Sequence, residues 1–182
     1  GGRNRSEASN RFKRLDLVSH STHLVICQEF DARLLKPQDH IEWHQVVPKM
    51  CWACGCVPAL AVRARKSSVK ALEMLESHCL NDGREGKHHT SRGPGMTPLM
   101  VVRVHWKEEL NREPWALLNI HCHYHTANQV SGYRQGYVRM WDKTAQLIKK
   151  HGVDFVAGDM NQALYKAQRE LEFRGCSFPL LF

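Results

Sequence analysis

The stretch "VDFVAGDMNQA", Val153 to Ala163, decides how the rest of the chain is read. Mostly apolar residues run into Gly158 and Asp159, and Asn161 follows two positions on. The run has the length of a buried strand. Such a strand ends at Gly158, where the chain turns, and delivers Asp159 and Asn161 to its C-terminal edge, the place where open α/β sheets keep their ligand sites. In an extended segment both side chains fall on one side. A carboxylate can take a proton from water while an amide donates a hydrogen bond to a phosphate oxygen, a pairing that suits phosphoester hydrolysis. Asn161 also precedes "QALYKAQREL" and is placed to cap a helix that runs to about residue 174. The two roles are compatible.

Immediately upstream, residues 133–151 carry Val138, Trp141, Ala145 and Ile148 at helical spacing. Lys149, Lys150 and His151 suit the negative end of the helix dipole, and Gly152 is a natural left-handed cap. Before this helix, "LMVVRVHW" and "PWALLNIHCHYH" read as antiparallel neighbouring strands joined by the charged turn "KEELNRE". Nearer the N-terminus, Ser6 can cap a helix with Ala8, Phe12, Leu15 and Val18 on one face. The apolar run "HLVICQEF" then has strand length, and residues 36–58 are irregular, broken by Pro37, Pro48 and Pro58. A short strand "ALAVRA" follows. The segment "SSVKALEMLESHCL" reads as a helix with its stripe at Val69, Leu72, Leu75 and Cys79. Residues 81–98 have the Gly, Pro and basic content of a mobile loop, in which Lys87, His88, His89 and Arg92 could track a phosphate backbone or simply form an insert. The strand, helix, strand order with antiparallel hairpins between predicts stacked α/β layers and not a pure doubly wound sheet, and 182 residues suit one domain.

Three polar clusters fall at strand ends. Glu29 closes the first strand, where a carboxylate is either a ligand for a hard cation or the first solvated residue, and Asp31 could share its role. In "NIHCHYH", His121, His123 and His125 point to one face together with Asn119. Alternating His on a strand suits a zinc hydrolase, although the Asp those sites carry is absent here. The third cluster is Asp159 with Asn161. Separately, Cys51, Cys54 and Cys56 in "CWACGC", near His40 or His44, could bind zinc or form a small-residue turn with buried thiols.

The 26 Lys and Arg against 18 Asp and Glu give +8, which favours a polyanionic partner such as nucleic acid or a phosphorylated substrate. Seven Cys without a regular framework, two of them in strand-like runs, suit a reducing intracellular compartment, nuclear or cytoplasmic, over a disulfide scaffold. No stretch reaches the length of a membrane span.

The set "QE", "NIH" and "GDMN", each closing a strand and in that order, resembles the endonuclease/exonuclease/phosphatase superfamily over most of residues 6–175, which implies its DNase I-like fold, a layered α/β sandwich of two mostly antiparallel sheets packed face to face with helices outside. That resemblance implies metal-dependent hydrolysis of phosphoester bonds by a nuclease, phosphodiesterase or phosphatase. It implies that Glu29 holds the catalytic Mg²⁺ or Mn²⁺ with Asn161 near metal and phosphate, and that His121 contacts the scissile phosphate with Asn119 preceding it. Asp159 would then orient or deprotonate the attacking water. Such domains usually begin with an Asn-bearing strand and end with an Asp-His motif. Their absence between Gly1 and Phe182 leads to the expectation of a partial domain, with an inactive basic binding module as the alternative to an enzyme.

Overall fold

The computed structural model describes residues 22–28, 37–48, 60–81, 96–122, 127–129 and 133–177. Alternating and near-continuous apolar runs build seven strands among them. Strand β1 (Leu24–Gln28) leads to helix α1 (Pro37–Glu42), β2 (Trp43–Val46), β3 (Leu60–Arg65), β4 (Val69–Asn81) and β5 (Met96–Trp106). A 3₁₀ turn at Glu108–Leu110 precedes β6 (Trp115–His121), α2 (Arg134–His151), β7 (Phe155–Asp159) and α3 (Leu164–Phe173). One sheet has the order β1-β3-β2, the other β4-β5-β6-β7. Every described pairing is antiparallel except β6 with β7, which α2 connects by a parallel crossover.

The sheets face each other through Leu60 and Val62 on one side and Met100, Val102, Leu117 and Ala157 on the other. Beneath that layer Trp115 packs edge-on against Trp106 at 4.7 Å and Phe155 at 5.0 Å. The opposite face of the four-stranded sheet, with Leu99, Val101, Leu118, Ile120 and Val156, is covered by Tyr137, Met140, Trp141, Ala145 and Ile148 of α2 and by Ala167 and Leu171 of α3. The architecture is the expected two-sheet α/β sandwich with helices outside. No helix among the described residues is long and apolar enough to cross a membrane.

Four local readings are corrected. Residues 69–81 form a strand, not a helix. Their apolar positions mimic helical spacing because β4 carries register shifts at Val69/Ala71 and Met74/Glu76, so Val69 and Leu72, three apart, both join the inter-sheet side. Leu75 and Leu80 meanwhile pack on the helix side. Within residues 36–58, Pro37 opens α1, where its missing N–H costs nothing, and β2 follows directly. Residues 96–98 of the expected loop belong to β5, and 82–95 lie outside the described residues. The buried face of α2 runs through Tyr137, Met140 and Trp141, leaving Val138 43% exposed. The end of α2 is as expected: Gly152 has φ 59° and its N–H bonds Ile148 O. The helix expected at residues 6–18 lies outside the described residues.

Candidate active site

The parallel pair β6–β7 sets the geometry. Its register places Leu117 opposite Phe155, Asn119 opposite Ala157, Ile120 opposite Gly158 and His121 opposite Asp159. Paired residues of neighbouring strands project to the same face, about 4.8 Å apart along the hydrogen-bonding direction. Leu117 and Ala157 belong to the inter-sheet core. By alternation Asn119, His121 and Asp159 continue that face toward the C-terminal ends of both strands. Asn119 is fully buried, His121 half-buried and Asp159 exposed. The edge therefore grades from dry to wet over two residues.

Gly158 makes the pairing possible, by a route other than the expected turn. The strand continues through it to Asp159, and Gly158 has φ +140°. A Cβ there would lie 1.9 Å from Ile120 O, so only glycine lets β7 approach β6 this closely.

A hydrogen-bonded frame holds the loop beyond. Cys122 N donates to Asp159 O at 2.8 Å, extending the ladder past the last strand residue. Asn161 N donates to Asp159 Oδ1 at 2.9 Å, and Asn161 Nδ2 donates to Cys122 O at 2.8 Å. Asn161 takes the left-handed conformation, φ 47°, which Asn tolerates better than most residues. Tyr137 OH donates to Gln162 Oε1 at 3.3 Å, tying the loop to α2. Asp159 Oδ2 and Asn161 Oδ1 have no hydrogen-bond partner among the described residues. Asn161 does not cap α3, whose N-cap is Ala163 in an extended conformation with no side-chain cap bond.

Asn119 does a different job from its neighbours. Its Nδ2 donates to Cys27 O at 3.1 Å and Ala61 O at 3.2 Å, both in the opposite sheet, and its Oδ1 accepts from Gln28 Nε2 at 2.9 Å. Both N–H groups are engaged, so this amide bridges the sheets and has no donor left over for a phosphate. Gln28 is the first strand's direct link to the site. Burial pushes the Cys122 thiol up to about 12, a bond with Thr97 opposing and the Asp159 charge adding to the shift. Burial likewise pushes Cys27 up to about 11, partly offset by Arg63. Both thiols stay neutral and are poor nucleophiles beside the site.

The structure thus brings Asn119, His121, Asp159 and Asn161 to one sheet edge. Glu29, Asp31, His123, His125, Cys51, Cys54, Cys56 and Lys87, His88, His89 and Arg92 lie outside the described residues. His44 is described, and its Nε2 bonds Val69 O at 3.1 Å. Among the described residues no three His, Cys, Asp or Glu side chains gather as a metal centre. The donor set nevertheless suits a hard cation, because the two open atoms, Asp159 Oδ2 and Asn161 Oδ1, are both oxygens. The sequence reading missed Gln28, whose amide was overshadowed by Glu29, and Tyr137, which nothing in the helical pattern distinguished from core.

No protein-family model and no curated protein matches the sequence. Solved structures do match the fold. A humanized TDP2 of D. rerio carrying 14 mutations is 18% identical, with a TM-score of 0.58, over 96% of this chain and 62% of that one. D. rerio TDP2 in complex with a single-strand DNA product is 18% identical, with a TM-score of 0.51, over 93% of this chain and 57% of that one. The human Nocturnin catalytic domain with bound sulfate is 12% identical, with a TM-score of 0.50, over 96% of this chain and 69% of that one. The chain spans less than two thirds of the length of the two D. rerio structures.

Proposed function

We propose, from the DNase I-like fold that this chain shares with structures of the endonuclease/exonuclease/phosphatase superfamily, that it belongs to a hydrolase of phosphoester bonds. The observation that carries the reading is the register that sets His121 beside Asp159 at a wet sheet edge, with Asn161 bonded to Asp159 and to the carbonyl of Cys122, the residue after His121. The net charge of +8 supports a polyanionic substrate. So does the ligand of one fold neighbour, a single-strand DNA product. Nucleic acid is the substrate class we assign.

In this reading Asp159 orients and deprotonates the attacking water. The N–H of Asn161 occupies Oδ1 and leaves Oδ2 to face that water. His121, one strand over, donates to the phosphoryl oxygen on which charge develops. Asn161 has one Nδ2 hydrogen engaged with Cys122 O, and its open amide oxygen is suited to a cation. Asn119 is a positioning residue that fixes β6 against the opposite sheet. Glu29 with Asn161 would hold Mg²⁺ or Mn²⁺, which when bound supplies Lewis-acid polarisation of the phosphoryl oxygen.

The test is cleavage of DNA, RNA, poly(A) and phosphoinositides with Mg²⁺, with EDTA, and with Asp159→Asn as the control. Turnover of any of them that needs the ion and Asp159 supports the hydrolase, and turnover of DNA, RNA or poly(A) in preference to phosphoinositides supports the substrate class. Metal-independent turnover unaffected by Asp159→Asn would overturn it.

A further inference from the structure

Helix α3 starts three residues after Asn161, and its outer face is not that of an ordinary solvated helix. Tyr165, Arg169 and Phe173 are spaced i, i+4, i+8 and form one ridge, each about 6 Å from the next along the axis. Lys166 lies beside it. Tyr165 is 60% and Phe173 85% exposed, the latter with the Arg174 guanidinium 5.8 Å from its ring centroid. Of the nearby acids, Glu170 pairs with Arg174, its Oε2 accepting at 2.6 Å, while Glu172 Oε1 accepts from the neutral Gln168 amide at 2.8 Å and keeps its charge. The side chains of Lys166 and Arg169 have no ion pair or hydrogen bond among the described residues. An open groove of about 470 Å³ runs along this face, lined by Gln129, Tyr137, Lys166, Arg169, Glu170 and Phe173. Tyr137 connects the groove to the site through Gln162, the residue after Asn161.

The geometry points to a track for a single-stranded nucleic acid leaving the active site along α3. Lys166 and Arg169 take backbone phosphates, and Tyr165 and Phe173 offer faces for unpaired bases. The assignment rests on the hydrolase reading for its direction and on α3 for its chemistry. Two cations with no ion pair among the described residues favour a polyanion, and the aromatic pair favours a strand whose bases are free to stack. A duplex keeps its bases stacked on each other and gains only the phosphate contacts.

The experiment measures fluorescence anisotropy of a labelled oligothymidylate of about ten nucleotides, within the ~4–16-nucleotide size of single-strand sites, in EDTA and over a range of salt. Lys166→Gln with Arg169→Gln is expected to reduce the log–log salt slope by about 1.4, at ~0.7 per phosphate. Tyr165→Ala with Phe173→Ala is expected to weaken binding by about fivefold to hundredfold per lost stack, and binding of a duplex of equal length much less. All four side chains are exposed, so circular dichroism should confirm intact variants. Wild-type affinity and slope in both double variants would overturn the track, as would concentration-dependent self-association that the aromatic variants abolish with no change in oligonucleotide binding. Hydrolysis of bis(p-nitrophenyl) phosphate, too small to reach α3, tests the site separately. If Asp159→Asn leaves that hydrolysis unchanged while the α3 variants bind poorly, the hydrolase reading fails and the track stands.

Discussion

Gly158 and Asp159 are adjacent residues under unrelated constraints. At Gly158 the nearest atom to an added Cβ is the carbonyl oxygen of Ile120, a backbone atom with no side chain to swing away. Gly158→Ala should therefore destabilise the fold by at least about 3 kcal/mol, at the upper end of overpacking costs, read from the urea midpoint. Asp159 is exposed and its main-chain ladder does not depend on its side chain. Asp159→Asn should leave that midpoint within ~0.5 kcal/mol while lowering phosphodiester turnover about 10²-fold or more, with substrate binding retained. Unchanged turnover would make Asp159 a bystander. The place of Asp159 at the end of a strand was legible in the sequence from the apolar run into Gly-Asp, whereas the constraint on Gly158 was not, because it comes from the neighbouring strand. The burial of Asn119 was not legible, since an alternating Asn and His read alike until the facing sheet is present to claim one of them.

Among the elements, β4 was the hardest to read. A strand buried partly on both faces and carrying two register shifts loses the period of two, and what remains has the spacing of a helix stripe. Helix α2 was readable from its basic last turn and Gly152. The two elements meet at Glu76 of β4, which accepts from Lys150 Nζ and His151 Nε2 at 2.7 Å each and also bonds His78 Nε2. Lys143 Nζ lies 3.5 Å away. The bonds from Lys150, His151 and His78, in that order, hold the Glu76 carboxyl well below the usual carboxylate range. A pKa lowered by folding contributes stability that is fully present above the ordinary carboxylate value and is lost as pH falls toward the folded one. Wild-type melting temperature should accordingly drop between pH 5 and pH 3, and Glu76→Gln should show a shallower drop. Parallel melting curves for the two proteins would show that α2 is not held to β4 through this carboxylate.

At the scale of the molecule, two sheets whose facing sides are mostly apolar need something to fix how they sit on one another. Side-chain packing resists separation more than it specifies alignment, whereas Asn119 joins three partners at once: Gln28, Cys27 and Ala61. Asn119→Ala should strand two buried carbonyls and the Gln28 amide, costing about 2–3 kcal/mol and lowering Tm by ~2–4 °C per kcal/mol in a chain of this size. Tm within a degree of wild type would show that packing alone aligns the sheets. The close approach of β7 to β6 has a consequence during folding as well. A strand shifted by one residue along its partner would bring Ala157 or Asp159 opposite Ile120, and neither can take the φ of +140° that Gly158 adopts there without strain. The glycine thus favours one alignment of β7 over its one-residue neighbours, the one that pairs His121 with Asp159.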